Sequence, residues 1–299
     1  MSKFNLFIYL YLFNHTQALN YCKIKSGTIT PCYGITKFPD SDGNYAMVLS
    51  RHSEGNLRDY LQNNHSKLTL KDRIVIFKDL CDSLDDIHKK DLIHCDLHSG
   101  NLLIEWGACF ITDLGLCGPV DEESSGKIYG IIPYIAPEVL QGKKNTKQSD
   151  VYSVGMLMWE IFAGRPPFDD RPHSDHLILD IYKGLRPQIL PSIPDDYAQM
   201  MKKCWDTDPS KRPTIKELLN FARNKLKEIY ENENLEIDPN ENNDSGDNNN
   251  GSSNSQQTYK SHPSAYHKSR ILEDIIDQYK HLKINTSNNN IPNTDFNKG

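Results

Sequence analysis

Residues 92–104, LIHCDLHSGNLLI, press His94, Asp96, His98 and Asn101 between the apolar pairs Leu92-Ile93 and Leu102-Leu103. Apolar runs that short, bounded by polar residues, read as strand ends. The polar residues between them then form one tight loop, with a further strand-like run, CFIT at 109–112, close behind. A chain built around such a loop has to bury the strands and still bring several polar side chains to one place.

Phosphoryl transfer asks for such a set. It needs an acceptor held in line, a group near the acceptor's proton, and metal ions that neutralise phosphate charge. A loop carboxylate serves the first two needs. An amide oxygen and a second carboxylate on a neighbouring loop offer hard ligands to Mg2+. Asp96, Asn101 at H-x-D-x-x-x-x-N spacing and Asp113 in ITDLGL supply these groups. A lone H-x-D carries little, because a loop aspartate is more often a turn former or a cap. The eight-residue pattern followed by D-L-G is far more specific.

The surrounding pattern mixes strand and helix. Residues 30–50 read as two short strands, TPCYGIT and YAMVLS, around the turn-rich KFPDSDGN. The stretch from Leu68 to Lys90 sets Phe77, Leu80, Cys81, Leu84 and Ile87 on one helical face. VYSVGMLMWEIF, residues 151–162, is apolar on nearly every side, so this helix is expected to be buried and to end at Gly164 and Pro166-Pro167. A last helix opens with Thr214 and Glu217 at capping-box spacing and carries Ile215, Leu218, Ala222, Leu226 and Ile229 inward. Compact structure is expected to end near Tyr230.

Hydrophobic content is 37%, low for a compact domain, because polar residues concentrate after Tyr230. That Asn-rich tail buries too little to offset ordering entropy and is read as disordered. Its exception is SRILEDIIDQYKHL, residues 269–282, where Ile271, Leu272, Ile275, Ile276, Tyr279 and Leu282 fall on a helical stripe. The stripe reads as a transient helix, or as one that docks on the domain or on a partner. At the other end FNLFIYLYLF, residues 4–13, is about half the length of a membrane span. It reads first as a strand or core segment, then as a signal or anchor, and last as a mis-assigned start. A net charge of −6 gives no pull on nucleic acid or acidic membranes. Seven scattered cysteines without a C-x-x-C pair imply reduced thiols of a cytosolic or nuclear protein, cytoplasmic by first expectation, with neither a disulfide framework nor a zinc site.

With these motifs in order, the chain resembles the eukaryotic protein kinases, especially their tyrosine-kinase-like group, over residues 30–228. HCDLHSGN resembles the catalytic loop, DLG the metal-binding motif, and Ala136-Pro137-Glu138 the end of the activation segment. The resemblance implies an α+β, protein-kinase-like two-lobe fold with an incomplete small β lobe, a mainly helical large lobe and a disordered C-terminal tail. The boundaries are 1–52 for the small lobe and hinge, 53–230 for the large lobe, and 231–299 for the tail. It makes Asp96 the catalytic base and Asn101 and Asp113 the Mg2+ ligands. Leu49 becomes the gatekeeper, Ser50, Arg51 and His52 the hinge beside the adenine of ATP, and Leu103 the floor beneath it. Asp150 is expected to steady the catalytic loop, Glu138 to pair with Arg212, and His94 to be a packed core residue. The implied partner is a protein substrate, with no nucleic acid and no membrane.

The departures from the family are as informative. No glycine precedes Gly27, and Lys3, Lys23 and Lys25 lack the context of the family's ATP-anchoring lysine. FNHTQALNYCK, residues 13–23, holds no acidic partner for such a lysine, and His15 falls near its place. Cys95 replaces the arginine that receives an activation-segment phosphate, so phosphorylation of Ser124, Ser125 or Tyr129 is not expected to act through it. His98 stands where serine/threonine kinases carry a lysine beside the γ-phosphate, so the resemblance places it among the ATP-binding residues, and Ile131 stands where they carry a threonine. The expectation is a protein kinase that favours serine or threonine and is weakly active or inactive. A pseudokinase binding module is the alternative, and a small-molecule phosphotransferase a third reading.

Overall fold

The computed structural model describes residues 8–12, 15–24, 26–37, 45–119, 128–235 and 261–272. The small lobe holds β1 (Ile8–Leu12), α1 (His15–Lys23), β2 (Cys32–Lys37) and β3 (Tyr45–Ser50). Its sheet has the order β1-β3-β2, antiparallel throughout. The apolar N-terminal run therefore includes a strand, whose register runs from Ile8 opposite Ser50 to Leu12 opposite Ala46. It covers the edge of β3 that would otherwise stay unpaired.

The large lobe begins with α2 (Leu57–Asn64) and α3 (Leu70–His88), then β4 (Leu92–Ile93), β5 (Leu102–Glu105), β6 (Ala108–Ile111), β7 (Gly118–Pro119) and β8 (Tyr129–Gly130). It continues with α4 (Pro137–Leu140), α5 (Lys147–Ala163), α6 (Asp175–Tyr182), α7 (Asp195–Cys204) and α8 (Ile215–Leu235). A last strand, β9 (Arg270–Ile271), comes from the tail. No described helix is long and apolar enough to cross a membrane.

Helix α3 starts where Thr69 and Asp72 cap each other, Thr69 N donating to Asp72 Oδ2 and Asp72 N to Thr69 Oγ1. Its Phe77, Leu80, Cys81, Leu84 and Ile87 are fully buried, as the helical spacing predicts. It packs against α8, β6 and α5, which places the loop that follows it at the centre of the lobe. Helix α5 is buried along nearly its whole length. Arg212 and Glu138 pair through two parallel 2.7 Å hydrogen bonds, and both side chains are buried. All seven cysteines are unpaired.

Two expectations for the tail change. Helix α8 runs on to Leu235, past Tyr230. Residues 261–272 are an ordered strap, and within 269–282 the described part is strand rather than helix: β9 pairs antiparallel with β8, and Leu272 is 1% exposed. The physical reason is that a short isolated helix is marginal in water, whereas pairing with β8 gives the backbone partners and Leu272 a buried site. Residues 273–282 lie outside the described residues, as do Ser124, Ser125 and the acidic run 121–123.

Arg212→Met leaves the Glu138 carboxylate buried without its partner. We expect a loss of about 3–5 kcal/mol, read as a lower denaturant midpoint with an unchanged slope.

Candidate active site

Asp150, in the first turn of α5, is 2% exposed and receives three hydrogen bonds. His94 N and His88 Nε2 reach its Oδ2 at 2.9 and 2.8 Å, and Cys95 N reaches Oδ1 at 3.2 Å. These bonds hold Cys95 at a φ of 69°, a left-handed conformation that a non-glycine residue keeps only when its surroundings impose it. The next residue is Asp96. His94 is fully buried, its Nδ1 accepting from Asp96 N and its Nε2 donating to Thr112 O.

The loop then folds back on itself. Asn101 Nδ2 donates to Asp96 O at 2.9 Å and, more weakly, to Asp96 Oδ2 at 3.4 Å. That fixes the amide and leaves its oxygen as the group available to a cation. Thr112 N donates to Asn101 O, tying the loop to the DLG segment, where Asp113 Oδ1 accepts from Gly115 N. Helix α1 clamps this segment from the other lobe. Asn20 Nδ2 donates to Leu114 O and Cys117 O at 3.1 and 2.7 Å. The side chain of His15 lies outside the described residues.

One side of this arrangement faces a cleft of about 480 Å³. Leu49, Ser50, Arg51, His52, Leu103, Asn101 and Asp113 all line it, so these predicted residues share one site. Thr30 also lines it, and its buried hydroxyl has no hydrogen-bond partner among the described residues. Burial lowers the His52 imidazole from its ordinary value despite Glu105 nearby, so the ring is a neutral wall, its centroid 4.5 Å from that of Phe110 and tilted by 38°. Among the described residues no cluster of three or more His, Cys, Asp or Glu is placed to hold a metal alone. A cation held by Asn101 and Asp113 would complete its shell with phosphate oxygens and water, as Mg2+ commonly does.

His98 and Asp96 lie on the other side. His98 does not line the cleft; its Nδ1 accepts from Gly100 N at 3.0 Å, which fixes a neutral ring with its proton on Nε2. A Cβ on Gly100 would come within 2.9 Å of that ring, so glycine permits the close turn. Ser269 of the strap completes the group. Its hydroxyl lies 2.8 and 2.7 Å from Asp96 Oδ1 and Oδ2 and donates to the carboxylate. His98 Nε2 in turn donates to Ser269 Oγ at 2.8 Å. Burial pushes the Asp96 carboxyl up, but the adjacent His98 imidazole, 3.6 Å away, and the Ser269 hydroxyl outweigh this and hold it below its ordinary value. Tyr134 OH donates to the buried Glu160 at 2.6 Å, which pins the activation-segment end beside Asp96.

Ser269, Thr30 and Asn20 escape a reading of the sequence. Thr30 and Asn20 sit in segments without a motif. Ser269 carries one usable signal, a hydroxyl between Lys268 and Arg270 followed by the apolar Ile271 and Leu272.

Comparison with known proteins agrees with this geometry. The family described as protein tyrosine and serine/threonine kinase matches residues 13–221, well over half of the chain. The human "Dual serine/threonine and tyrosine protein kinase" is 34% identical over 190 residues, covering 60% of this chain and 20% of that protein. The dog protein of the same name is 35% identical over 179 residues, 58% of this chain and 19% of its own length. The "Dual specificity protein kinase zakA" of Dictyostelium discoideum is 30% identical over 212 residues, 64% of this chain and 26% of its own length. The chain thus spans about a quarter or less of these relatives.

The strap rests partly on neutral imidazoles. His267 is lowered from 6.5 to about 4 by burial first, then by Arg58 of α2 and His173. His173, also lowered by burial, donates from Nε2 to Phe168 O and accepts from Tyr266 N, with Arg270 of β9 nearby. A released strap binds these protons more readily than a docked one. Docking is therefore full above about pH 6.5 and weakens as pH falls towards 4. Amide protection factors for residues 264–272, corrected for intrinsic exchange, are expected to drop several-fold between pH 7 and pH 5.

Proposed function

The chain belongs to the protein tyrosine and serine/threonine kinase family, and we propose that it transfers the γ-phosphoryl group of ATP to a protein hydroxyl, serine or threonine first. One observation carries this reading. Asn101 both lines the cleft and bonds to Asp96, so a nucleotide site and an acceptor site meet across a single side chain.

The roles follow from position. The backbone of 49–52 borders the adenine side of the cleft, with Leu103 as its floor. Asn101 and Asp113 offer oxygen ligands to Mg2+, which with ATP supplies the electrophilic phosphorus and screens its charge. Asp96, held ionised, orients the acceptor hydroxyl and takes its proton. The neutral His98 donates a hydrogen bond on the acceptor side, where a lysine would bring full charge. A serine hydroxyl reaching Asp96 from the residue just before β9 supports the serine/threonine preference.

Turnover is slow in this reading. Among the described residues no lysine lines the cleft. One missing preorganised donor typically costs about 3–4 kcal/mol at the transition state, or roughly 10²–10³-fold in rate. The same observation favours a second reading, a nucleotide-binding module without turnover.

We expect Mg2+-ATP to raise the melting midpoint of the natural chain and of Asp96→Asn alike, and the Mg2+-dependent part to vanish in Asp113→Asn. Transfer to a generic basic protein is expected to be slow and to fall about 10²–10⁴-fold in Asp96→Asn. A thermal shift without any Asp96-dependent transfer would establish the second reading.

A further inference from the structure

We propose that residues 261–272 are a tethered substrate of this chain's own catalytic loop and that Ser269 is the phospho-acceptor. The inference rests on the kinase reading above and adds to it a modification site and the class of segment that the acceptor groove takes.

The strap is held at points along its length, not at Ser269 alone. His262 N donates to Asp169 O, and His173 N donates to Ser264 O. Arg58 donates to His267 O, and Arg270 Nη2 to His173 O. β9 pairs with β8 through Gly130 opposite Arg270 and Tyr129 opposite Ile271, and Leu272 N donates to Ile128 O at 2.9 Å. Leu272 is buried and anchors the far end. This is strand addition, in which main-chain bonds give affinity and alternate side chains find pockets. Gly130 lets the strand lie close: a Cβ there would stand 3.3 Å from Asp96 Oδ1 and adopt a φ of 132°. Residues 236–260 join the end of α8 to the strap within the one chain.

Ser269 then occupies the one place where its hydroxyl meets the base. Its Oγ lies within 2.8 Å of both Asp96 oxygens, inside the range a general base needs. The His98 Nε2–H bond takes up an Oγ lone pair while the hydroxyl proton points to Asp96. Only the hydroxyl is engaged in this way; the residue itself remains exposed. A segment that merely plugged the groove would gain nothing from presenting its oxygen to the base with the proton already directed.

The reaction balances with ATP as co-reactant. Ser269 Oγ attacks the γ-phosphorus, and an O–P bond forms as the bond to the β-phosphate oxygen breaks. The electron pair leaves on ADP and the hydroxyl proton passes to Asp96. The product places a phosphate of charge about −1.5 to −2 against the Asp96 carboxylate, so repulsion releases the strap and opens the groove. Modification in this scheme happens once per chain and exposes the site to other acceptors.

The test is phosphosite mapping of the full chain with Mg2+ and γ-labelled ATP over a hundredfold range of protein concentration, with a generic basic protein present. Amide exchange is followed in parallel. The expected result is label at position 269 with a rate constant independent of protein concentration, absent in Asp96→Asn and retained in Ser269→Thr. Leu272→Asp is expected to lower that label at least tenfold and to remove exchange protection at 128–130 and 270–272 together. Label on the added protein with none at position 269 would overturn the tethered-substrate proposal and leave the kinase reading standing. Unchanged protection at 128–130 in both Leu272→Asp and Leu272→Ala would overturn it independently of any activity. Absence of label from every protein in every arm would remove both.

Discussion

A single buried carboxylate organises this molecule. Asp150 sits on a helix that is itself buried almost throughout, so it cannot shift without disturbing the core. Burying a charge is costly unless its lone pairs are filled. Here two backbone amides and one imidazole fill them. Charge-assisted bonds of that kind are about twice as strong as neutral ones. They offset the left-handed turn at Cys95, and that turn decides where Asp96 projects. From Asp96 the constraint passes to Asn101, and from the Asn101 carbonyl to Thr112 and the DLG segment. The geometry of Asp96 and of the DLG segment is thus inherited from α5.

The site therefore has two faces with different character. On the cleft side the walls are a neutral ring, an aliphatic floor and oxygen donors suited to a hard cation. On the opposite side, one ionised carboxylate is flanked by an imidazole whose tautomer is set by Gly100. A histidine in that place brings direction without charge. Under the proposed function it screens an incoming triphosphate less well than a lysine would, and favours a hydroxyl that can accept one bond while donating another.

Much of this could be read from the chain before any coordinates. The spacing of Asp96, Asn101 and Asp113, the apolar stripe of α3, and the Thr214–Glu217 cap are local patterns whose physics is local too. The Glu138–Arg212 pair, 74 residues apart, was legible only through the family resemblance of the two segments that carry it. The strap is of another kind. Ile271 and Leu272 fit a helical stripe as well as a strand, because two apolar neighbours belong to either pattern. What decided between them was an edge on β8, more than a hundred residues away in sequence. The Asn20 clamp is equally non-local, reaching the DLG segment from α1. Side chains that act by reaching across the fold leave no spacing to recognise.

The tether between α8 and the strap has a kinetic meaning as well. A segment carried on the same chain as its groove is present there at an effective concentration on the order of a millimolar, whatever the amount of protein in solution. An outside polypeptide that binds the same groove with ordinary transient affinity meets a competitor that dilution cannot remove. Under the tethered-substrate proposal the docked chain is guarded against chance encounters, and its selectivity is set by displacement before any chemistry begins.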